Sequence, residues 1–139
     1  MRLTLYSEYG LRTLIYLGLN PERLCAAGEI AEAYGISTSH LTKVVHALGK
    51  AGIVTTVRGR GGGLRLSRPA EEIRLGGVIR ALETGLGAPD CGDCPLEPLC
   101  ALGDIQEEAV CAFVAVFDRY SVADLIAPGE KLKALFTAA

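Results

Sequence analysis

Four of the five cysteines in this 139-residue chain fall between Asp90 and Cys111, in the stretch DCGDCPLEPLCALGDIQEEAVC. Cys91 and Cys94 have two residues between them, a spacing at which one tight loop can aim both thiolates at one point. Cys100 follows after a segment stiffened by Pro95 and Pro98, and Cys111 closes the stretch. Thiolates are preferred ligands of iron–sulfur clusters and of zinc, so these residues point first to a metal centre. The competing readings are a disulfide knot or a set of inert buried thiols. The fifth cysteine, Cys25, stands alone and reads as a small buried hydrophobe.

Compartment bears on that choice. The N-terminal stretch MRLTLYSEYGLRTLIYLGLN is interrupted by Glu8 and Arg12 at helical spacing, and no small-residue cleavage signal follows it. Neither a signal peptide nor a membrane span is expected, which places the protein in the cytoplasm. Structural disulfides are rare there, so the metal reading is favoured. A length of 139 residues with 50% hydrophobic side chains suits one folded domain, or one domain with an appendage.

The net charge of −2 conceals a sharp segregation. From Glu32 to Glu71 no acidic residue occurs, while Lys43, Lys50, Arg58, Arg60, Arg65 and Arg68 do. Between Arg80 and Arg119 the pattern inverts: there is no Lys or Arg, but Glu83, Asp90, Asp93, Glu97, Asp104, Glu107, Glu108 and Asp118 are present. A basic middle followed by an acidic, cysteine-bearing segment suggests two tasks on one chain.

The elements that would position these residues follow from periodicity. Residues 3–19 carry Leu3, Tyr6, Leu11, Leu14, Ile15 and Leu17 close to helical period, and Asn20-Pro21 ends the helix. Glu29–Tyr34 predicts a short helix with Ile30 and Ala31 inward, and Gly35 supplies the turn. Ser37, Thr38 or Ser39 caps a second helix over 40–51 with Leu41, Val44, Val45 and Leu48 inward. Two short helices joined at a glycine are the helix-turn-helix pattern.

The β-branched run at 53–57 and the strand at 64–67 flank Arg58-Gly59-Arg60-Gly61-Gly62-Gly63, a hairpin with a glycine-rich, arginine-flanked tip. A basic hairpin directly after a helix-turn-helix is a wing. A nucleotide-binding glycine loop would instead run from strand into helix. Thr38, Ser39, His40 and Lys43 are the candidates for base contacts, and Arg58 and Arg60 for phosphate or minor-groove contacts. His46 reads as an exposed polar residue.

A further helix is expected over 70–84 with Ile73, Val78, Ile79 and Leu82 inward, and a long one over 104–120. Ile105, Val110, Phe113, Val114 and Phe117 give the long helix an apolar stripe richer than a small winged helix needs, which implies a partner helix and a symmetric dimer. A short helix from Ser121 and a final segment over 130–136 complete the chain.

MRLT at the start, the helix-turn-helix, the wing VRGRGGGLRLS, the late cysteine loop and SVADL near the end resemble the Rrf-two family of winged-helix regulators over almost the whole length. The resemblance implies a homodimer that binds a palindromic operator in double-stranded DNA and carries an iron–sulfur cluster, 4Fe-4S or 2Fe-2S. The family pattern sets three cysteines with five residues between neighbours. Cys94 and Cys100 match its second half, whereas Cys91 is only three residues upstream of Cys94. Cluster-assembly regulators of the family have a histidine three residues after the last cysteine, where this chain has Gly103. Nitric-oxide-sensing members use an acidic residue early in the first helix, contributed across the dimer, and Glu8 stands at that place. The alternative for Glu8 is an i,i+4 ion pair with Arg12, worth about 0.3 kcal/mol.

The expected architecture is mainly α with a small β-hairpin: a winged helix-turn-helix over 1–84, a cysteine-rich cluster loop over 85–102, and a dimerisation helix with the C-terminal segment over 103–139. The expected function is a DNA-binding transcriptional regulator, a repressor, whose operator affinity responds to nitric oxide, redox state or iron through a cluster on Cys91, Cys94, Cys100 and Glu8, with Cys111 as a substitute ligand. Two alternatives stand beside it: a closed zinc site on Cys91, Cys94, Cys100 and Cys111, and a metal-free thiol switch. An enzyme is not expected, since no nucleophile–base arrangement is present and both histidines lie in the recognition helix.

Overall fold

A computed structural model of the chain describes residues 3–86, 95 and 99–137. Seven α-helices are present among the described residues: α1 (Leu5–Leu19), α2 (Ala27–Tyr34), α3 (Thr38–Lys50), α4 (Leu75–Leu82), α5 (Leu102–Asp118), α6 (Val122–Ile126) and α7 (Glu130–Thr137). Two strands, β1 (Val54–Val57) and β2 (Gly63–Leu66), pair antiparallel with Val54 opposite Leu66 and Val57 opposite Gly63. The expected class, mainly helical with one hairpin, is the observed one.

Side chains at helical and strand period build a single core. Leu14 and Leu17 of α1, Ile30 of α2, Leu41, Val44 and Leu48 of α3, Val54 and Leu64 of the hairpin and Ile73, Val78 and Leu82 around α4 are all buried. The turn between α2 and α3 depends on Gly35, whose φ of 63° is a left-handed conformation that costs a side-chain-bearing residue free energy. Ser37 then caps α3, its hydroxyl accepting from the His40 amide at 3.3 Å. Cys25 is buried, as its isolation suggested. Its backbone exchanges hydrogen bonds with Leu64 at 3.0 and 2.8 Å and so adds a bridge to the hairpin.

The helix expected over 70–84 is broken. A 3₁₀ turn over Ala70–Glu72 gives way to extended backbone at Ile73, and α4 starts only at Leu75. The break is held by Arg74 bridging to Ser121, with the Leu75 amide donating to the Tyr120 carbonyl and the Val122 amide to Ile73. These partners lie 45 or more residues away, beyond the reach of local periodicity. At the same junction α6 opens with a capping box, Ser121 and Asp124 each satisfying the other's backbone.

The apolar residues of α5 separate into two lines. Val110, Phe113, Val114 and Phe117 face α4, with Val114 only 4% exposed and the two phenylalanine rings packed edge-on at 5.2 Å. Leu102, Ile105, Ala109, Ala112 and Val116 are exposed, Ile105 to 60%. Ile105, which the sequence stripe grouped with the inner residues, lies on the outer line. In α7, Phe136 stacks edge-on against Tyr16 and Tyr34 of the same chain, at 5.5 and 5.3 Å. No helix among the described residues is long and apolar enough to cross a membrane.

Candidate nucleic-acid interface and cysteine site

The buried set Leu41, Val44, Val45 and Leu48 turns the opposite face of α3 to solvent. Ser39, Thr42, Lys43 and His46 are exposed there at spacings of three, four and seven, and Thr38 is exposed at the helix start. Thr42 and His46 therefore share a face with two of the predicted base-contacting residues, which the sequence reading had not credited. The periodicity of the inward residues was a sufficient signal for both. His40 is also exposed, but it lines a shallow recess with Leu5, Tyr6, Tyr9 and Lys43 and so lies against the start of α1.

The helix itself is anchored by its backbone. The Tyr6 hydroxyl of α1 donates to the Lys43 carbonyl at 2.9 Å, and the Thr42 hydroxyl donates to the Thr38 carbonyl at 2.8 Å. Tyr6 packs against the core as its spacing in the first helix predicts, and its hydroxyl gives it this second task.

Arg58 and Arg60 are exposed at the hairpin tip, and no carboxylate among the described residues forms an ion pair with either. Gly59 and Gly61, at φ of 101° and 78°, reverse the chain between them. A side chain at Gly62 would collide with the Val57 carbonyl, so that position must stay bare. The result is a tight loop presenting two guanidinium groups, a geometry suited to phosphates and narrow grooves.

Of the candidate metal ligands, Cys91 and Cys94 lie outside the described residues. Cys100 is exposed just ahead of α5, beside Leu99, which is 98% exposed. Cys111 is exposed well along α5. From Leu102 to Cys111 the helix rises about 13 Å, so Cys100 and Cys111 are not brought to one point within a subunit. Cys111 instead lines a cleft with Val114, Glu83 and the paired Arg80 and Asp118, whose Nη1 and Oδ1 are 2.9 Å apart. Glu8 lies in the first turns of α1, its Oε2 at 3.7 Å from Arg12 Nη2. Among the described residues no three His, Cys, Asp or Glu side chains converge as a metal site. Cys25 is unsuited to ligation: burial pushes its thiol up to about 11.

One further carboxylate carries no signal in the sequence that sets it apart from its acidic neighbours. Glu83, directly after α4, is 9% exposed, and its Oε1 accepts from the Thr4 amide at 2.7 Å and the Thr4 hydroxyl at 2.9 Å. Burial alone would raise its pKa. Hydrogen bonds from Ser7 and from the Thr4 amide and hydroxyl outweigh that and hold it below the ordinary carboxylate value.

The Rrf2 family of iron-dependent transcriptional regulators matches residues 3–128. This chain belongs to the Rrf2 family. It is 41% identical to the HTH-type transcriptional regulator NsrR of Shouchella clausii (strain KSM-K16), over 97% of this chain and 95% of that protein. Identity to NsrR of Halalkalibacterium halodurans is 40%, over 97% of both. Among solved structures, T. potens IscR superposes with a TM-score of 0.74 at 26% identity, over 95% of this chain and 90% of that one. CymR (YrzC), the global cysteine regulator of B. subtilis, gives 0.72 at 25% identity, over 91% and 97%. The Rrf2 chain described here is accordingly a winged-helix transcriptional regulator that binds DNA, and not an enzyme. In Rrf2 terms α2 and α3 form the helix-turn-helix and the hairpin that carries Arg58 and Arg60 is the wing.

Proposed function

We propose that this regulator is a repressor whose operator affinity is set by an iron–sulfur cluster held on Cys91, Cys94 and Cys100, with Glu8 contributed across a homodimer. The observation that carries the reading is the donor set: three thiolates within ten residues in a chain 41% identical to NsrR, together with an acidic residue near the start of α1. That chemistry fits a cluster. Thiolates bind iron strongly, while a carboxylate is a harder and more exchangeable ligand, so one corner of the site is open to a signal. A bound cluster supplies iron–ligand bonds that respond to nitric oxide, redox state or iron supply.

The dimer is supported by the outer line of α5. Leu102, Ile105, Ala109, Ala112 and Val116 alternate at three and four residues, the seam of a paired helix, with alanines allowing close approach. Two copies related by a two-fold axis would present two α3 helices to a palindromic operator with half-sites about 34 Å apart. The cysteine segment joins α4 to α5, so its arrangement bears both on the dimer and on the DNA-binding unit.

The test is anaerobic purification followed by iron and sulfide analysis, absorption and Mössbauer spectra, and operator titration of loaded and stripped protein. A brown protein whose two forms differ in operator affinity is the expected result. Colourless protein with stoichiometric zinc, or equal affinity of the two forms, overturns the reading.

A further inference from the structure

The N-terminus of α1 has an unusual cap. Thr4 is the N-cap residue, and its hydroxyl accepts from the Ser7 amide at 3.3 Å. In a capping box, a carboxylate or amide three residues after the cap would then accept from the cap residue's own amide. Position three here is Ser7, whose side chain is too short to serve. The acceptor is supplied by Glu83, 79 residues along the chain at the end of α4. Its negative charge also sits favourably at the positive end of the α1 dipole.

Glu83 is the only charged side chain among the buried described residues, and no Lys or Arg there pairs with it. A buried carboxylate without a cation is a poor way to add stability, since an apolar residue of similar size carries no desolvation cost. What it does provide is direction, because a hydrogen bond weakens steeply once its donor–hydrogen–acceptor angle falls below about 120°, and Glu83 takes both the amide and the hydroxyl of Thr4 on one oxygen. The next residue back, Leu82, makes the second contact of the same junction. A side chain at Gly10 of α1 would collide with Leu82 and lie 3.6 Å from Val44 of α3. On the same face of α1, one turn before Gly10 and beside Leu82 and Glu83, the Tyr6 hydroxyl donates to the Lys43 carbonyl. Leu82 and Glu83 are thus joined through the first two turns of α1 to the backbone and inner face of α3.

We propose that Glu83 is a positioning residue that couples the root of the cysteine segment to the recognition helix, acting through Thr4, Ser7 and Tyr6 of α1. The inference rests on the cluster-sensing reading for its functional consequence, but the linkage itself is a property of this chain. A shift of residues 83–86 with the state of the cysteine segment would tilt the start of α1, and Tyr6 would carry that tilt to Lys43. Glu83 makes no contact with DNA in this scheme, and its role is to report.

The test uses the full-length protein with Glu83→Ala and Glu83→Gln, the latter keeping one acceptor oxygen. Three quantities are measured: iron and sulfide content with the visible spectrum, the ratio of operator affinities between loaded and stripped protein, and amide hydrogen exchange in the stripped state. Glu83→Ala is expected to retain wild-type iron and spectrum, to shrink the affinity ratio at least fivefold, and to raise exchange at 4–10 and at 38–46 while leaving the wing unchanged. Glu83→Gln is expected to recover at least half of the ratio. A Glu83→Ala protein with the wild-type ratio and wild-type exchange overturns the inference. If wild-type protein shows no difference between its two forms, the sensing reading falls, and the exchange arm still decides the linkage. Unchanged protection of 38–46 then rejects it, and selective loss upholds it. Should Glu83→Ala fail to fold, Thr4→Val removes the hydroxyl donor and is read by the same exchange pattern.

Discussion

Replacing Arg58 and Arg60 together by alanine tests whether the wing carries an electrostatic share of DNA binding. Both guanidinium groups are exposed, and neither forms an ion pair among the described residues, so their removal leaves the fold's own contacts intact. Stability should change by no more than about 0.5 kcal/mol. Each protomer loses two cations, so a symmetric pair loses four. If each neutralises one phosphate, the slope of log affinity against log salt becomes shallower by about 3.6. Over a fourfold rise in salt, from about 50 to about 200 mM, wild-type protein should then lose about two decades more affinity than the variant. Fluorescence anisotropy with an operator duplex and an unrelated duplex, each at several salt concentrations, measures both slopes. The loss should appear on both duplexes, because phosphate contacts carry no base information. An unchanged slope with unchanged affinity would refute the wing as a DNA-contacting element. A loss confined to the operator would refute the phosphate assignment and point to base reading.

Leu48→Ala removes a fully buried side chain of α3 and should destabilise the protein by about 2–5 kcal/mol in urea unfolding; a cost below about 1 kcal/mol would mean the core is not packed as described. Gly10→Ala forces Leu82 away from α1 and should lower the melting temperature and weaken operator binding together. The Glu83 carboxyl is held below its unfolded-state pKa of about 4.3, so its contribution is present above that pH and lost as pH falls through the folded value. Thermal melts of Glu83→Gln between pH 7 and pH 3 (about that range) should therefore lose less on acidification than wild type; parallel curves would contradict the depressed pKa. Tyr6→Phe deletes one hydrogen bond to the recognition helix and should cost about 0.5–1.5 kcal/mol, seen as faster amide exchange in α3.

Much of the fold was legible because its signals are local. Alternation of apolar residues marked α1, α3 and the hairpin, Gly35 marked the turn, and the β-branched run ahead of the glycines marked the wing. The solvent face of α3 follows from the same periodicity, since four inward residues leave only one face for Ser39, Thr42, Lys43 and His46. Where the reading slipped, the cause lay at a distance. The break at Ile73 and Arg74 is made by Tyr120, Ser121 and Val122, and no local pattern in 70–84 announces it. Ile105 was grouped with the inner stripe because a rich helix face is ambiguous until its neighbour, α4, selects one line of side chains.

Cysteine spacing, charge segregation and hydrophobic period by themselves determined that this chain is a basic winged helix followed by an acidic thiol-bearing segment, because each is set by neighbours along the chain. Only the tertiary structure decided what Glu83 meets. In sequence it is one acidic residue among eight between Arg80 and Arg119. Packing α4 against α1 buries it under the first turn, where an uncapped amide and a hydroxyl give its charge the partners that solvent no longer can.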